Sequence, residues 1–257
     1  MENGKWRKAL SKFIEPWEKR KEVVGALVCG SYVTGNPSRH SDIDVQILLD
    51  RSVRWRERGN KIIDGFLIEY FANPLPQNLK YYEGDYRDRD RTNSHMFLTG
   101  EVLFDKNGDV KTLIEKAKEW EKKEFKRPRK AWIEITKYGL WDLKDNLENV
   151  FEDDSDDFYF VYYNYLRELL DRYCDFSAYP RLKKDKARRF LTSESDRKKY
   201  RIEDFPDKRF ASLFTDALTL KGRDEMLDEY RRITDYVLKA MGGFSIDGWK
   251  VRSDVES

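Results

Sequence analysis

The sequence predicts an α/β fold of the α+β kind, with a small mixed-sheet domain followed by a C-terminal helical bundle domain. Short apolar runs rich in β-branched residues, which are typical of buried strands, occur only before residue 105. After that point apolar residues recur at helical spacing, and strand-like alternation is almost absent. A basic segment, KRPRK at residues 126–130, interrupts the second pattern. We therefore predict two domains, residues 1–127 and 128–257, joined by a solvated turn.

The composition of the 257 residues excludes several classes of protein. Lys and Arg number 50 and Asp and Glu 48, so the net charge of +2 disfavours nucleic acid or anionic lipid as a partner. Aromatic residues reach 14%, enough for a substantial core. No apolar run approaches the roughly 20 residues of a membrane span, and residues 1–6 show no secretory signal. Two cysteines and two histidines favour neither disulfides nor a zinc site, and we expect a cytoplasmic protein without membrane association.

The first domain begins with an apolar stripe over residues 5–20, which predicts a helix that Pro16 kinks or interrupts. Strands should follow, with a Gly-, Ser-, Asn- and Pro-rich loop between the first two. The predicted strands are Val23–Cys29, Ile43–Leu49, residues 62–72, and a shorter one within residues 97–104.

The remaining apolar residues predict helices, because they repeat every three or four positions. Three stripes show this spacing: Leu113, Ala117 and Trp120; Leu140, Leu143, Leu147 and Val150; and Met226, Tyr230, Ile233 and Val237.

The residues with the clearest chemical meaning are Gly30 and Ser31, followed ten positions later by Ser41-Asp42-Ile43-Asp44. Side chains alternate along a strand, so Asp42 and Asp44 project to the same side. Two carboxylates this close repel each other unless a cation lies between them, and hard oxygen ligands suit Mg²⁺. The turn that opens at Ser31 can present backbone amides and a hydroxyl to an anionic oxygen.

A third acid is expected on the neighbouring strand. Glu69 is a charged residue in a run that otherwise predicts core. Asp64 is the rival, but it has the opposite strand parity and precedes Gly65, as a turn residue would. Three carboxylates, a divalent ion and a phosphate-binding turn predict a phosphoryl or nucleotidyl transfer site.

The run LVCGSYVTGNPSRHSDIDVQILL at residues 27–49 resembles the signature of the polymerase-beta-type nucleotidyltransferase superfamily. It is similar to that of the bacterial aminoglycoside and lincosamide adenylyltransferases. The resemblance implies that Asp42, Asp44 and Glu69 are catalytic and bind Mg²⁺, and that Gly30 and Ser31 contact the phosphates of ATP.

Two further phosphate contacts are predicted, one within this run and one far from it. Arg39 lies beside the acids, as does His40, which is either a loop residue or a general base. Lys184-Asp185-Lys186-Ala187 resembles a Lys-Asp-x-Ala helix of some streptomycin and spectinomycin adenylyltransferases. That match implies that Lys184 reaches the nucleotide, with Lys186 as the alternative.

The resemblance implies an adenylyltransferase that moves AMP from ATP to the hydroxyl of an aminoglycoside-like small molecule, and so a role in antibiotic resistance. Asp142, Asp145 and Glu148 are candidate acceptor contacts, and the acidic residues 152–157 form either a rim that attracts a cationic acceptor or a solvated loop. One alternative is adenylylation of a protein partner, as in toxin-associated relatives. Another is a non-catalytic nucleotide-binding domain, which would be marked by loss of an acid. The oligomeric state does not follow from the sequence.

Overall fold

A computed structural model describes residues 3–35, 37–183 and 185–252. The chain divides into two compact units. The first comprises Met1–Lys123 with Lys199–Arg201, and the second comprises Glu124–Lys198 with Ile202–Ser257. The functional domain boundary after residue 127 stays a prediction.

The first unit contains a sheet with helices on both faces. Its elements, in chain order, are α1 (Asn3–Glu18), β1 (Val23–Cys29), α2 (Ser31–Thr34), β2 (Ile43–Leu49), β3 (Glu57–Ile63), β4 (Phe66–Pro74), α3 (Leu75–Arg87), α4 (Thr92–Thr99), β5 (Glu101–Asp105) and α5 (Asp109–Glu121). The strand order in the sheet is β3-β4-β2-β1-β5. β2 and β4 are parallel and the other neighbouring pairs are antiparallel, so the sheet is mixed.

The two faces of the sheet bury different residues because side chains alternate along each strand. On β2, Ile43, Val45 and Ile47 pack in the same cluster as α1. Leu48 packs on the other face with residues of α3, α4 and α5. Asp42 and Asp44 share the parity of Leu48, so they project to the face that carries α3–α5.

Two predictions about this unit were wrong in detail. The predicted strand over residues 62–72 is a hairpin of two strands, in which Asp64, with φ 51°, and Gly65 form the turn between β3 and β4. Of the two outcomes predicted for Pro16, an interruption of α1 is wrong, because the helix continues to Glu18; a kink stays a prediction. Since Pro16 lies in the last turn of α1, the lost backbone donor affects only the end of the helix.

The second unit is helical in the part of the chain that the structure describes. Its helices are α6 (Lys130–Glu152), α7 (Phe158–Phe176), α8 (Ala187–Thr192), α9 (Glu194–Lys199), α10 (Lys208–Ala217) and α11 (Arg223–Ala240). The stripe predicted near the C-terminus lies on α11, where Met226, Tyr230, Ile233 and Val237 are all buried. The mixed sheet followed by C-terminal helices confirms the predicted fold class. Among the described helices, none is both long enough and apolar enough to cross a membrane.

Candidate active site

Three carboxylates come together at the start of β2. One oxygen each of Asp42, Asp44 and Glu69 lies within 4.8 Å of the other two. Strand register explains the convergence, because Asp44 is opposite Glu69 in the parallel β2–β4 pair. All three residues are half-buried, so their oxygens are screened by the protein and remain reachable from solvent. We call these three residues the acid cluster.

Gly30 lies directly against the acid cluster. It adopts φ 80° and ψ −161° between β1 and α2, a conformation that residues with a side chain rarely adopt. A Cβ atom at this position would lie 2.0 Å from Oδ2 of Asp44. Only glycine therefore lets the backbone turn into α2 while the Asp44 carboxylate keeps its place. Ser31, the first residue of α2, is half-buried beside this turn.

Arg58 is a residue of this site that the sequence analysis missed. From β3, its Nη2 atom donates a hydrogen bond to Oε1 of Glu69 at 2.7 Å. The Glu69 side chain is 18% exposed and that of Arg58 69% exposed, so the arginine covers the outer side of the carboxylate. The signal in the sequence was the alternation of Arg56, Glu57 and Arg58, which a search for apolar strands does not detect.

Burial and the negative charge of the acid cluster both raise the pKa of the neighbouring Cys29. This residue is fully buried and lies opposite Asp44 in the β1–β2 pair. The pKa of its thiol is raised well above the ordinary value by burial and then by the charges of Asp44 and Asp42. Cys29 is therefore a protonated core residue and no nucleophile.

The other predicted site residues are not all brought to the acid cluster. Arg39 is exposed and its Nε donates to Nε2 of His40 at 2.9 Å. Asp64, the rival third acid, instead forms an ion pair with Lys12 at 2.7 Å. Lys184 lies outside the described residues.

The acidic candidates of the second unit have partners of their own. Glu148 pairs with Arg231 at 2.6 Å, and Asp142 accepts a hydrogen bond from Asn146 at 3.2 Å. In the acidic stretch, Asp154 pairs with Arg223 at 2.5 Å. Part of the negative charge at these positions is therefore neutralised within the unit.

The mixed sheet, the acid cluster and the glycine turn are the features that the sequence predicted for a nucleotidyltransferase domain. A family model described as the nucleotidyltransferase domain matches residues 10–204, which is more than half of the chain. The chain belongs to the nucleotidyltransferase domain family, as its sequence predicted.

One solved structure shares similarity over most of the chain. It is a nucleotidyltransferase-like protein from Exiguobacterium sibiricum 255-15, and the match covers 91% of this chain and 75% of that one. The identity is 11% and the TM-score 0.47. No curated protein matches the chain at a significant level.

Proposed function

We propose that the protein is a Mg²⁺-dependent adenylyltransferase that moves AMP from ATP to an acceptor hydroxyl. The observation that carries this proposal is the convergence of Asp42, Asp44 and Glu69 within 4.8 Å, beside a glycine turn. Membership of the nucleotidyltransferase domain family supports it. The non-catalytic alternative predicts a missing acid, whereas all three are present and close together.

The donor set fits a hard divalent cation. Three carboxylates at this spacing repel one another, and a bound cation would remove that repulsion. Mg²⁺ in nucleotide sites is usually bound by one or two carboxylates together with phosphate oxygens of the substrate, and the acid cluster offers enough carboxylates for this. When bound, Mg²⁺ would neutralise charge on the triphosphate and on the departing pyrophosphate.

The residues of the first unit would act on ATP and acceptor as follows. Gly30 and Ser31 would hold the phosphates with backbone amides and the serine hydroxyl, and Arg39 remains a candidate for the same role. The role of Lys184, which belongs to the second unit, stays a prediction. An oxygen lone pair of the acceptor attacks the α-phosphorus, a new P–O bond forms, and the bond to the β-phosphate oxygen breaks with its electron pair. The hydroxyl proton passes to Glu69 and from there to water. Positioning of the two reactants contributes a large part of such catalysis.

For the acceptor, the family resemblance supports an aminoglycoside-like small molecule, with a protein partner as the alternative. The acidic residues 152–157 were the electrostatic argument for a cationic acceptor. One of them, Asp154, forms an ion pair with Arg223, which neutralises its charge. This support is weaker than the sequence alone indicated. The charged residues close to Glu69 lie near the expected position of the acceptor hydroxyl, so they affect acceptor binding.

The test is Mg²⁺-dependent turnover of ATP by wild type and by Asp42→Asn and Asp44→Asn, with pyrophosphate release as the readout and water or added compounds as acceptors. Each variant removes one anionic ligand at nearly constant shape, so we expect a loss of about a hundredfold or more. Asp64→Asn is the matched control and should retain turnover, because Asp64 pairs with Lys12 away from the cluster. Full activity in Asp44→Asn would overturn the assignment.

A further inference from the structure

A pocket continues the acid cluster along the same face of the sheet. Its volume is about 460 Å³. On β2 it is lined by Gln46, two residues beyond Asp44, and on β4 by Phe71 and Asn73, two and four residues beyond Glu69. Because side chains at even separations share a face, these residues project to the side of the acids. We call this space the β4 pocket.

The β4 pocket lies on the side from which an acceptor would attack, and this step rests on the proposed function. β2 lies between β1, which leads into Gly30, and β4, which carries Glu69. Phosphates held at Gly30 and Ser31 place the departing pyrophosphate on the β1 side of the acids. In-line displacement requires the attacking oxygen on the opposite side of the α-phosphorus, which is the β4 side.

Two arginines and one glutamate, Glu57, line the β4 pocket, and the charge of Arg58 is offset by its ion pair with Glu69. Arg58 stacks over the Phe71 ring at 4.8 Å and donates to Glu69. Arg56 also lines the pocket and donates to the Tyr81 hydroxyl at 2.8 Å. Within the described part of the chain, no carboxylate lies within ion-pair distance of Arg56.

Glu57, between these arginines, also lines the β4 pocket, but among the described residues it forms no ion pair with either of them. Its carboxylate accepts a hydrogen bond from the Tyr70 hydroxyl at 2.5 Å. The Tyr70 ring packs against Phe13 and Trp17 of α1, at 5.3 and 5.4 Å, on the opposite face of the sheet. The Glu57 carboxylate is thus held by the Tyr70 hydroxyl and not by an arginine.

The floor of the β4 pocket offers buried amides with weak partners. Gln46 is 6% exposed, and among the described residues its Nε2 atom donates to the poor acceptor Sδ of Met96, at 3.5 Å. Asn73 is 4% exposed, and its Oδ1 atom accepts from the Tyr81 hydroxyl at 3.4 Å, a long hydrogen bond. Buried amides usually have better partners, so these groups suit a ligand that carries several hydroxyls.

We propose that the β4 pocket binds the acceptor, and that the acceptor is a hydroxylated molecule bearing an oxyanion, phosphate or carboxylate, that contacts Arg56. The guanidinium offers a planar fork of donors that matches an oxyanion. The acceptor hydroxyl then lies toward Glu69, near Arg58. A polycation such as an aminoglycoside meets the charge of Arg56 here, which no carboxylate of the described residues offsets, and is disfavoured.

The experiment measures binding by calorimetry to protein saturated with Mg²⁺ and α,β-methylene-ATP, whose scissile bond is replaced. The probes are glucose 6-phosphate and gluconate as oxyanions, glucose as the neutral analogue, and kanamycin as the polycation. We expect the oxyanion probes to bind at least tenfold more tightly than glucose, and kanamycin to bind no better than glucose. Arg56→Gln should remove the preference, and Arg56→Lys should keep part of it.

Arg54→Gln is the matched control. Arg54 belongs to the same basic stretch, but it does not line the β4 pocket, and its Nη1 atom donates to the carbonyl of Arg51 at 3.0 Å. This variant should bind the oxyanion probes like wild type. The proposal is wrong if no oxyanion probe binds, if kanamycin binds more tightly than they do, or if Arg56→Gln binds them unchanged. Failure of wild type to bind Mg²⁺ and the ATP analogue would instead refute the proposed function.

Discussion

The position of Gly30 requires glycine for two reasons: the φ angle is positive, and there is no room for a side chain beside Asp44. Gly30→Ala should move the Asp44 carboxylate out of the acid cluster, because a Cβ atom cannot remain 2.0 Å from Oδ2. We expect binding of Mg²⁺ and ATP to weaken at least tenfold, as measured by calorimetry. A loss of stability is also expected from strain, of about 1–2 kcal/mol.

Gly35 separates the two causes, because it has the same φ of 80° and nothing within 4 Å of an added Cβ. Gly35→Ala should therefore show the loss of stability without the loss of binding. Equal nucleotide binding by both variants would show that the contact between Gly30 and Asp44 does not matter for the site.

Glu69 can be tested separately from the other two acids. Glu69→Gln should abolish transfer while binding of the nucleotide largely survives, since Asp42 and Asp44 still offer two carboxylates. The measurement is the turnover rate beside the dissociation constant for ATP with Mg²⁺. Asp64→Asn should leave both values near those of wild type, because its ion pair with Lys12 is exposed. The reverse result would move the third acid to Asp64.

At the scale of elements, the sequence predicted the strands that have apolar faces and missed the one that has none. β1 is buried at every position and β2 at six of seven, and both were predicted with their observed bounds. No residue of β3 is buried, because it is the outermost strand of the sheet. Its hydrogen bonds to β4 are a tertiary effect that hydrophobic periodicity does not show.

The same reason explains which part of the site was predictable. Asp42 and Asp44 interrupt an apolar strand, and Glu69 interrupts another, so each is conspicuous in the sequence. Arg58 and Arg56 belong to a polar stretch where charges are ordinary. Their proximity to Glu69 and to the pocket follows from strand pairing, with Arg58 opposite Phe71.

Among the helices, α10 begins at a cap that makes a pH-dependent contribution to stability. Asp207 accepts hydrogen bonds from the amide of Phe210 at 2.9 Å and from the hydroxyls of Tyr173 and Tyr236 at 2.5 and 2.9 Å. Burial raises the pKa of Asp207, but these hydrogen bonds outweigh it and hold the pKa below its ordinary value. The stabilisation is therefore present above pH 4 or so and is lost as the pH falls through the lowered pKa.

Asp207→Ala should lower the free energy of unfolding at pH 7 by about 1–3 kcal/mol, because it removes the cap and leaves two hydroxyls without their acceptor. Urea denaturation at pH 7 and pH 3 should show a smaller difference from wild type at the lower pH. Asp216→Ala, at an exposed position of the same helix, is the control and should have little effect. A pH-independent difference would contradict the role of the charge.

At the scale of the whole molecule, each unit contains one cysteine that can report its unfolding. Cys29 belongs to the first unit and Cys174 to the second, and both are fully buried free thiols. Burial raises the pKa of each, with added repulsion from Asp44 at Cys29 and from Asp171 at Cys174. Neither should react with a thiol reagent at pH 8 in native buffer, and both should react in urea.

Labelling of the single variants Cys29→Ser and Cys174→Ser along a urea gradient assigns each transition to one unit. Each variant retains one reporter, so its midpoint of reactivity measures the unfolding of the unit that holds that cysteine. Rapid labelling of either thiol in native buffer would contradict the burial described above.

β3 has a consequence for how this protein can diverge. The acids are fixed on β2 and β4, whose backbones are paired on both sides, whereas Arg56 and Arg58 lie at or beside a strand paired on one side only. Substitutions at exposed positions of an outer strand cost little stability, so Arg56 and Arg58 can be replaced without disturbing the strands that hold the acids. The charged side chains of Arg56 and Arg58 also prevent strands of other molecules from pairing with the open edge of β3. Replacing both with neutral residues would therefore favour aggregation.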